Sequence, residues 1–195
     1  MARRRKPGIW AMEGQWSARV TDVRSVSPIL DAMRAAKVAD AARQQVNGPE
    51  DLVKALRRWG QKQHDSYGIG YLALHGSPGA VYTGRKKISM VDLGGELQGV
   101  DLTAKCLHLG SCAVLDGGND FAKQIRQSLG VRLLSGFTQD VDWFESMAFE
   151  LLFFAKLVDY VRPIDAAKYM EREHSELVSR LGFIYEAGRA SSRKP

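Results

Sequence analysis

Two apolar runs end in groups that could do chemistry together: "YLALHGSPG" (71–79) carries His75 and "LHLGSCAVL" (107–115) carries Cys112, 37 positions later. A thiol becomes a strong nucleophile once it loses its proton, and a nearby imidazole can take that proton or deliver one to a leaving group. Gly76 leaves its backbone N–H uncrowded, and the N–H of Cys112 faces the same space. Two such donors can form an oxyanion hole, Gly76 and Cys112 together. The chemistry would be attack of a Cys112–His75 dyad on a carbonyl, through an acyl-enzyme intermediate. The residues alone leave a plainer reading open, in which His75 is a satisfied structural histidine and Cys112 a small buried hydrophobe.

The elements that must position this pair can be read from the pattern of the chain. Each run is short, apolar and closed by glycine, as a central strand is. In an open parallel sheet ligands gather beyond the carboxyl ends of the strands, and neighbouring strands lie about 5 Å apart, so both ends can reach one substrate. "GIWAME" (8–13) predicts a first strand and "VRLLSGF" (131–137) another. "SPILDAMRAA" predicts a helix capped by Ser27 with Pro28 at its first position. "KVADAARQQV" fits either a continuing helix or a strand from near Val38. In "NGPEDLVKALRRWG", Pro49 opens a helix with Glu50 and Asp51 in its first turn and Leu52, Leu56 and Trp59 on one face. "AVYTGRKKISM" reads as a projecting hairpin around Gly84, "DLGGELQG" as a short helix or turn, and "NDFAKQIRQSLG" as a helix capped by Asn119. The segment 141–158 becomes apolar nearly all round, which predicts a buried helix. "IDAAKYMEREHSELVSRLG" places Ala166, Met170, Leu177 and Leu181 on one stripe. Helices alternating with apolar strands predict a three-layer α/β/α sandwich around a mostly parallel sheet.

The expected organisation is one domain over 8–187, between basic tails at 1–7 and 188–195. Arg3, Arg4, Arg5, Lys6, Arg189, Arg193 and Lys194 supply seven positive charges, and removing them from the net +6 leaves the body at about −1. The basic character belongs to the tails, and no nucleic-acid motif accompanies it, so nucleic acid is not an expected partner. No apolar run approaches the roughly 18 residues that cross a bilayer, and no signal-like segment follows "MARRRKPG", so a cytoplasmic protein is expected. Cys106 and Cys112 are six positions apart within one segment and form no disulfide framework.

Other residues have two readings each. Asp140 and Asp142 follow a strand's carboxyl end and could line a substrate pocket, or one could simply cap the next helix. Trp143 could wall that pocket or belong to the core. Glu13 ends the first strand, and Asp116 follows Cys112 closely; either could border the cleft. His108, Cys106 and Cys112 share a parity that, with His75, raises a metal site, but one regular strand spreads such ligands too far apart. His108 reads better as a hydrogen-bonded core residue. No metal and no cofactor are expected; "DLGG" and "DGGND" lack the lysine and hydroxyl residue of a phosphate loop.

In its two boxes the chain resembles the caspase-like (clan CD) cysteine peptidases, nearest their bacterial CHAT-type branch. "GIWAMEGQW", "SVSPIL", "YLALHGSPG", "LHLGSCAVL" and "GFTQDVDWFESMAFELL", in that order, resemble a small bacterial family distantly related to those peptidases. The resemblance implies a caspase-like version of the sandwich, with His75 and Cys112 as catalytic residues, Gly76 at the oxyanion and a peptide or protein substrate. It also implies a role as a defence effector under a regulatory partner. Leu74 departs from the small or sulfur residue usual before the His-Gly pair. A non-catalytic interaction module retaining that fold, and a hydrolase of other amides or thioesters, are the alternatives.

Overall fold

The computed structural model describes residues 6–19 and 21–188. Of the two basic tails, 1–5 and 189–195 lie outside the described residues; Lys6 is described and pairs with Asp159 at 2.9 Å.

Six strands form the central sheet: β1 (Ile9–Glu13), β2 (Ala41–Gln45), β3 (Ile69–Ala73), β7 (Cys106–Leu109), β8 (Leu133–Phe137) and β9 (Phe183–Ala187). Their order is β2-β1-β3-β7-β8-β9, parallel throughout except where β9 runs antiparallel to β8. Three short strands, β4 (His75–Ser77), β5 (Ala80–Thr83) and β6 (Lys86–Ser89), make a separate antiparallel sheet. The ambiguous segment after the first helix is thus a strand, β2. Strand β9 has no counterpart in the sequence reading: its apolar run, Phe183–Tyr185, is only three residues long before the charged Glu186 and follows directly on the helix end at Gly182.

The helices are α1 (Ser27–Ala35), α2 (Pro49–Trp59), α3 (Met90–Glu96), α4 (Gly118–Leu129), α5 (Trp143–Asp159), α6 (Pro163–Glu173) and α7 (Ser175–Leu181). Alternation along the strands assigns them to two layers. Trp10, Met12, Leu72, Leu107, Leu109 and Leu134 face α2, α3 and α4. Ile9, Ala11, Ile69, Tyr71, Ala73 and Phe137 face α1, α5, α6 and α7. The result is a three-layer α/β/α sandwich. Helix starts differ in detail from expectation: Val26 and Gly117, not Ser27 and Asn119, occupy the capping positions of α1 and α4, with no side-chain cap. The expected single stripe over 164–182 breaks at His174, whose backbone leaves the helical region and separates α6 from α7.

Chain order runs outward from β1 to β2, then returns to β3 on the other side of β1. Such a reversal opens a crevice at the carboxyl ends of the strands. On the α5 side of the sheet the core is aromatic. Phe153 contacts Phe183, with ring centroids 5.1 Å apart, and packs at 5.5 Å from the His108 ring. Truncation of this fully buried ring leaves a cavity between α5 and the sheet. Phe153→Ala is therefore expected to lower the unfolding free energy by about 3–5 kcal/mol, and Phe153→Leu by clearly less, in denaturant titrations. A loss below about 1 kcal/mol for the alanine variant would contradict this packing.

Candidate functional site

Parallel pairing in register sets three polar side chains side by side. His108 on β7 is the partner of Tyr71 on β3 and of Ser135 on β8. With the same parity, all three face the α5 layer, where a lone polar group would be costly. Helix α5 brings Glu150 down onto this row. The Tyr71 hydroxyl donates to Glu150 Oε2 at 2.5 Å. His108 meets Glu150 Oε1 through Nε2 at 3.3 Å and Ser135 Oγ through Nδ1 at 3.0 Å. All of these side chains are buried, Ser135 completely.

The carboxylate fixes the direction of the chain of hydrogen bonds. An ionised carboxylate can only accept, so with a neutral imidazole it is His108 Nε2 that donates to Glu150, which leaves Nδ1 to accept from Ser135. A serine hydroxyl donating to an imidazole that a carboxylate orients is a Ser/His/Glu arrangement. Tyr71 is held in its neutral form, well above the usual phenol range, first by burial and then by the charge and hydrogen bond of Glu150.

A cavity of about 160 Å³ opens above this row, at the carboxyl ends of β1, β3 and β7. Tyr71 and Glu150 belong to its lining, together with Trp16, His75, Cys112 and Trp143. Trp16 stands edge-on to both Trp143 and His75, with centroids 4.6 and 5.4 Å apart. Gly110 is essential to the floor: a Cβ there would fall 2.4 Å from the Tyr71 ring and 2.5 Å from Glu150 Oε1.

The expected Cys112–His75 dyad does not form. His75 donates from Nε2 to the Trp16 carbonyl at 2.8 Å, and among the described residues no hydrogen bond joins it to Cys112. The histidine engaged with a hydroxyl and a carboxylate is His108, which contacts neither cysteine. The reading as a cysteine peptidase, a thiol protease, is therefore corrected. Both residues nevertheless border the cavity. Gly76 is drawn into the β4–β5 ladder opposite Val81 and abuts the Cys112 carbonyl, 2.3 Å from where its own Cβ would stand. Cys106 is buried, and burial pushes its thiol up to about 12.

The remaining candidates scatter. Glu13 is buried and saturated by Trp16 Nε1, Ser25 Oγ, the Val26 N–H and Arg43, at 2.7–3.0 Å; it anchors the Trp16 wall without lining the cavity. Asp142 caps α5, accepting from the N–H groups of Phe144 and Glu145 at 2.9 and 3.0 Å. Asp140 and Asp116 are exposed and outside the cavity lining, whereas Trp143 is part of it. Among the described residues no three His, Cys, Asp or Glu side chains gather as metal ligands. Ser135 and Glu150 escaped the sequence reading. The available signal was Glu150 itself, a single carboxylate within the apolar "AFELLFF".

Fold and site together define a three-layer α/β/α protein with a buried Ser–His–Glu relay beneath a cavity at the strand ends. The chain belongs to a family of unknown function, DUF6642, which it matches over residues 6–185. No curated protein matches it. The resemblance to CHAT-type peptidases is thus corrected by the His108 contacts and finds no support in these comparisons.

Two consequences are measurable. Because Tyr71 is neutral in the folded protein and ionises near 10 when unfolded, its contribution to stability is complete below pH 10 and lost as the pH rises above it. Cys106 acts in the same direction from its ordinary 9 upward. Tyr71→Phe should flatten the alkaline loss of stability relative to wild type, while costing about 1–3 kcal/mol at neutral pH for the unpaired carboxylate oxygen; an unchanged alkaline slope would contradict the pairing. Alkylation followed by intact mass should label Cys112 alone at neutral pH, and C112A should take no label. Prompt labelling of Cys106 would show that β7 is not buried as described.

Proposed function

We propose that the chain is an acid–base enzyme of hydrolytic type, working in the cavity over Glu150. The observation that carries this reading is the double position of Glu150, which lines the cavity and also holds His108. A water molecule in the cavity would give its proton to the Glu150 carboxylate while its oxygen attacks an electrophilic carbonyl; the proton then passes to the leaving group. Tyr71 and His108 hold the two carboxylate oxygens in place, and Ser135 holds the His108 ring through Nδ1. Ser135 is fully buried and absent from the cavity lining, so its role in this state is positioning rather than attack.

A cavity of about 160 Å³ suits a small acyl group or a single side chain of a peptide. Trp16 and Trp143 would enclose it and His75 would border its mouth. Two free cysteines support placement in a reducing compartment such as the cytoplasm. No helix among the described residues is long and apolar enough to cross a membrane.

The test is hydrolysis of a small chromogenic ester and a small chromogenic amide by wild type, E150Q, H108N and C112A. E150Q should lower kcat/KM by about 100-fold or more, H108N should lower it less, and C112A should leave it within about twofold. Wild-type turnover no faster than buffer on both substrates would overturn the reading. So would activity that survives E150Q or vanishes in C112A.

A further inference from the structure

The sequence pattern predicts that α5 is buried on all sides, yet its outer face is open. Phe144 is 79% exposed, Leu151 37% and Leu152 38%. Ala148 is exposed and Ala155 half-buried on the same face. Phe144, Ala148, Leu151 and Ala155 are spaced four, three and four residues apart, the seam of an antiparallel helix pair. Large and small residues alternate along that seam.

This alternation is self-complementary. When two copies of α5 lie antiparallel about a two-fold axis at the level between Phe149 and Glu150, Phe144 faces the partner's Ala155 and Ala148 faces the partner's Leu151. Each large side chain meets a small one, which lets the helix axes approach to about 8 Å. Charge agrees with the same pairing. Glu145 and Lys156 lie on one flank of the helix, three turns apart, and the two-fold axis brings Glu145 beside the partner's Lys156. Among the described residues of the single chain, Glu145 contacts Arg180 at 3.2 Å and Lys156 lies over the Tyr169 ring at 4.4 Å.

We propose that this α5 face is the contact of a symmetric homodimer, built by a second copy of the chain. The interface is isologous, as a two-fold contact requires. One helix pair covers less than the roughly 1,600 Å² of a standard interface, which places the dimer among weak, transient contacts. It is independent of the catalytic reading, because the residues of the seam point away from the cavity floor.

Sedimentation velocity over about 1–100 µM protein tests it with wild type, L151E, A148L, L151A and the exchange variant A148L/L151A. Wild type should form dimers and L151E should stay monomeric. A148L sets leucine against leucine and L151A sets alanine against alanine, so each should weaken dimerisation by about tenfold or more, 1.4 kcal/mol. The exchange variant restores large against small and should recover wild-type association to within about threefold. These side chains face outward, so circular dichroism should be unchanged, as should melting at concentrations where wild type is monomeric. A wild type that is monomeric throughout, a dimer indifferent to L151E, or an exchange variant no better than A148L would overturn the proposal.

Discussion

Everything around the site follows from placing one carboxylate, Glu150, inside an aromatic layer. An isolated ion there would cost several kcal/mol, more than most single contacts return. The fold answers with a phenol on β3 and an imidazole on β7, each held at the same level by parallel pairing. The imidazole in turn needs a partner for its second nitrogen, and β8 provides Ser135 at the matching position. Gly110 follows from the same demand, since any side chain there would enter the space of the carboxylate. Four polar residues and one glycine, drawn from three strands, a loop and a helix, are thus one solution to one electrostatic problem.

The molecule buries a second carboxylate, and the comparison separates structure from chemistry. Glu13 receives four hydrogen bonds, including one from Arg43, and ties the segment carrying Trp16 to the end of β1. Its bonding capacity is used. Among the described residues Glu150 receives only Tyr71 and His108, and its remaining lone pairs belong to a group that borders a cavity. A saturated carboxylate is a fastener; one with spare capacity facing a cavity is available to a proton. Similar reasoning demotes His75. Its Nε2 proton is committed to the Trp16 carbonyl, so the ring serves as part of a wall with Trp16 and Trp143.

Much of the sandwich was legible because its signals are local. Apolar runs closed by glycine located β3, β7 and β8, and Pro49 with the Leu52–Leu56–Trp59 face located α2. The crevice at the strand ends also followed from a general rule of parallel sheets, and His75, Cys112 and Trp143 do border it. Strand β9 and the break at His174 were not legible, since the first is half-exposed and the second lies within a pattern that reads as continuous. The relay was missed for a different reason. Its members lie far apart in the chain and meet only through strand register, which sequence spacing does not reveal. His75 and Cys112 drew notice as reactive types beside turns, whereas Ser135 sits in mid-strand, where a small hydroxyl looks like filler.

Strand β9 carries a consequence for how the site is made. It pairs antiparallel with β8, and its register sets Tyr185 beside Ser135, at the end of the polar row. Phe183, on the same strand, packs against Phe149, Phe153 and the ring of His108. A nascent chain leaving the ribosome therefore has β1, β3, β7 and β8 available well before the strand that seals their polar row from water. Until residues 183–187 emerge, β8 is the open edge of the sheet, and solvent can compete for the hydrogen bond of Ser135. The row is therefore sealed only once β9 has been made, so the site matures later than the strands that carry it.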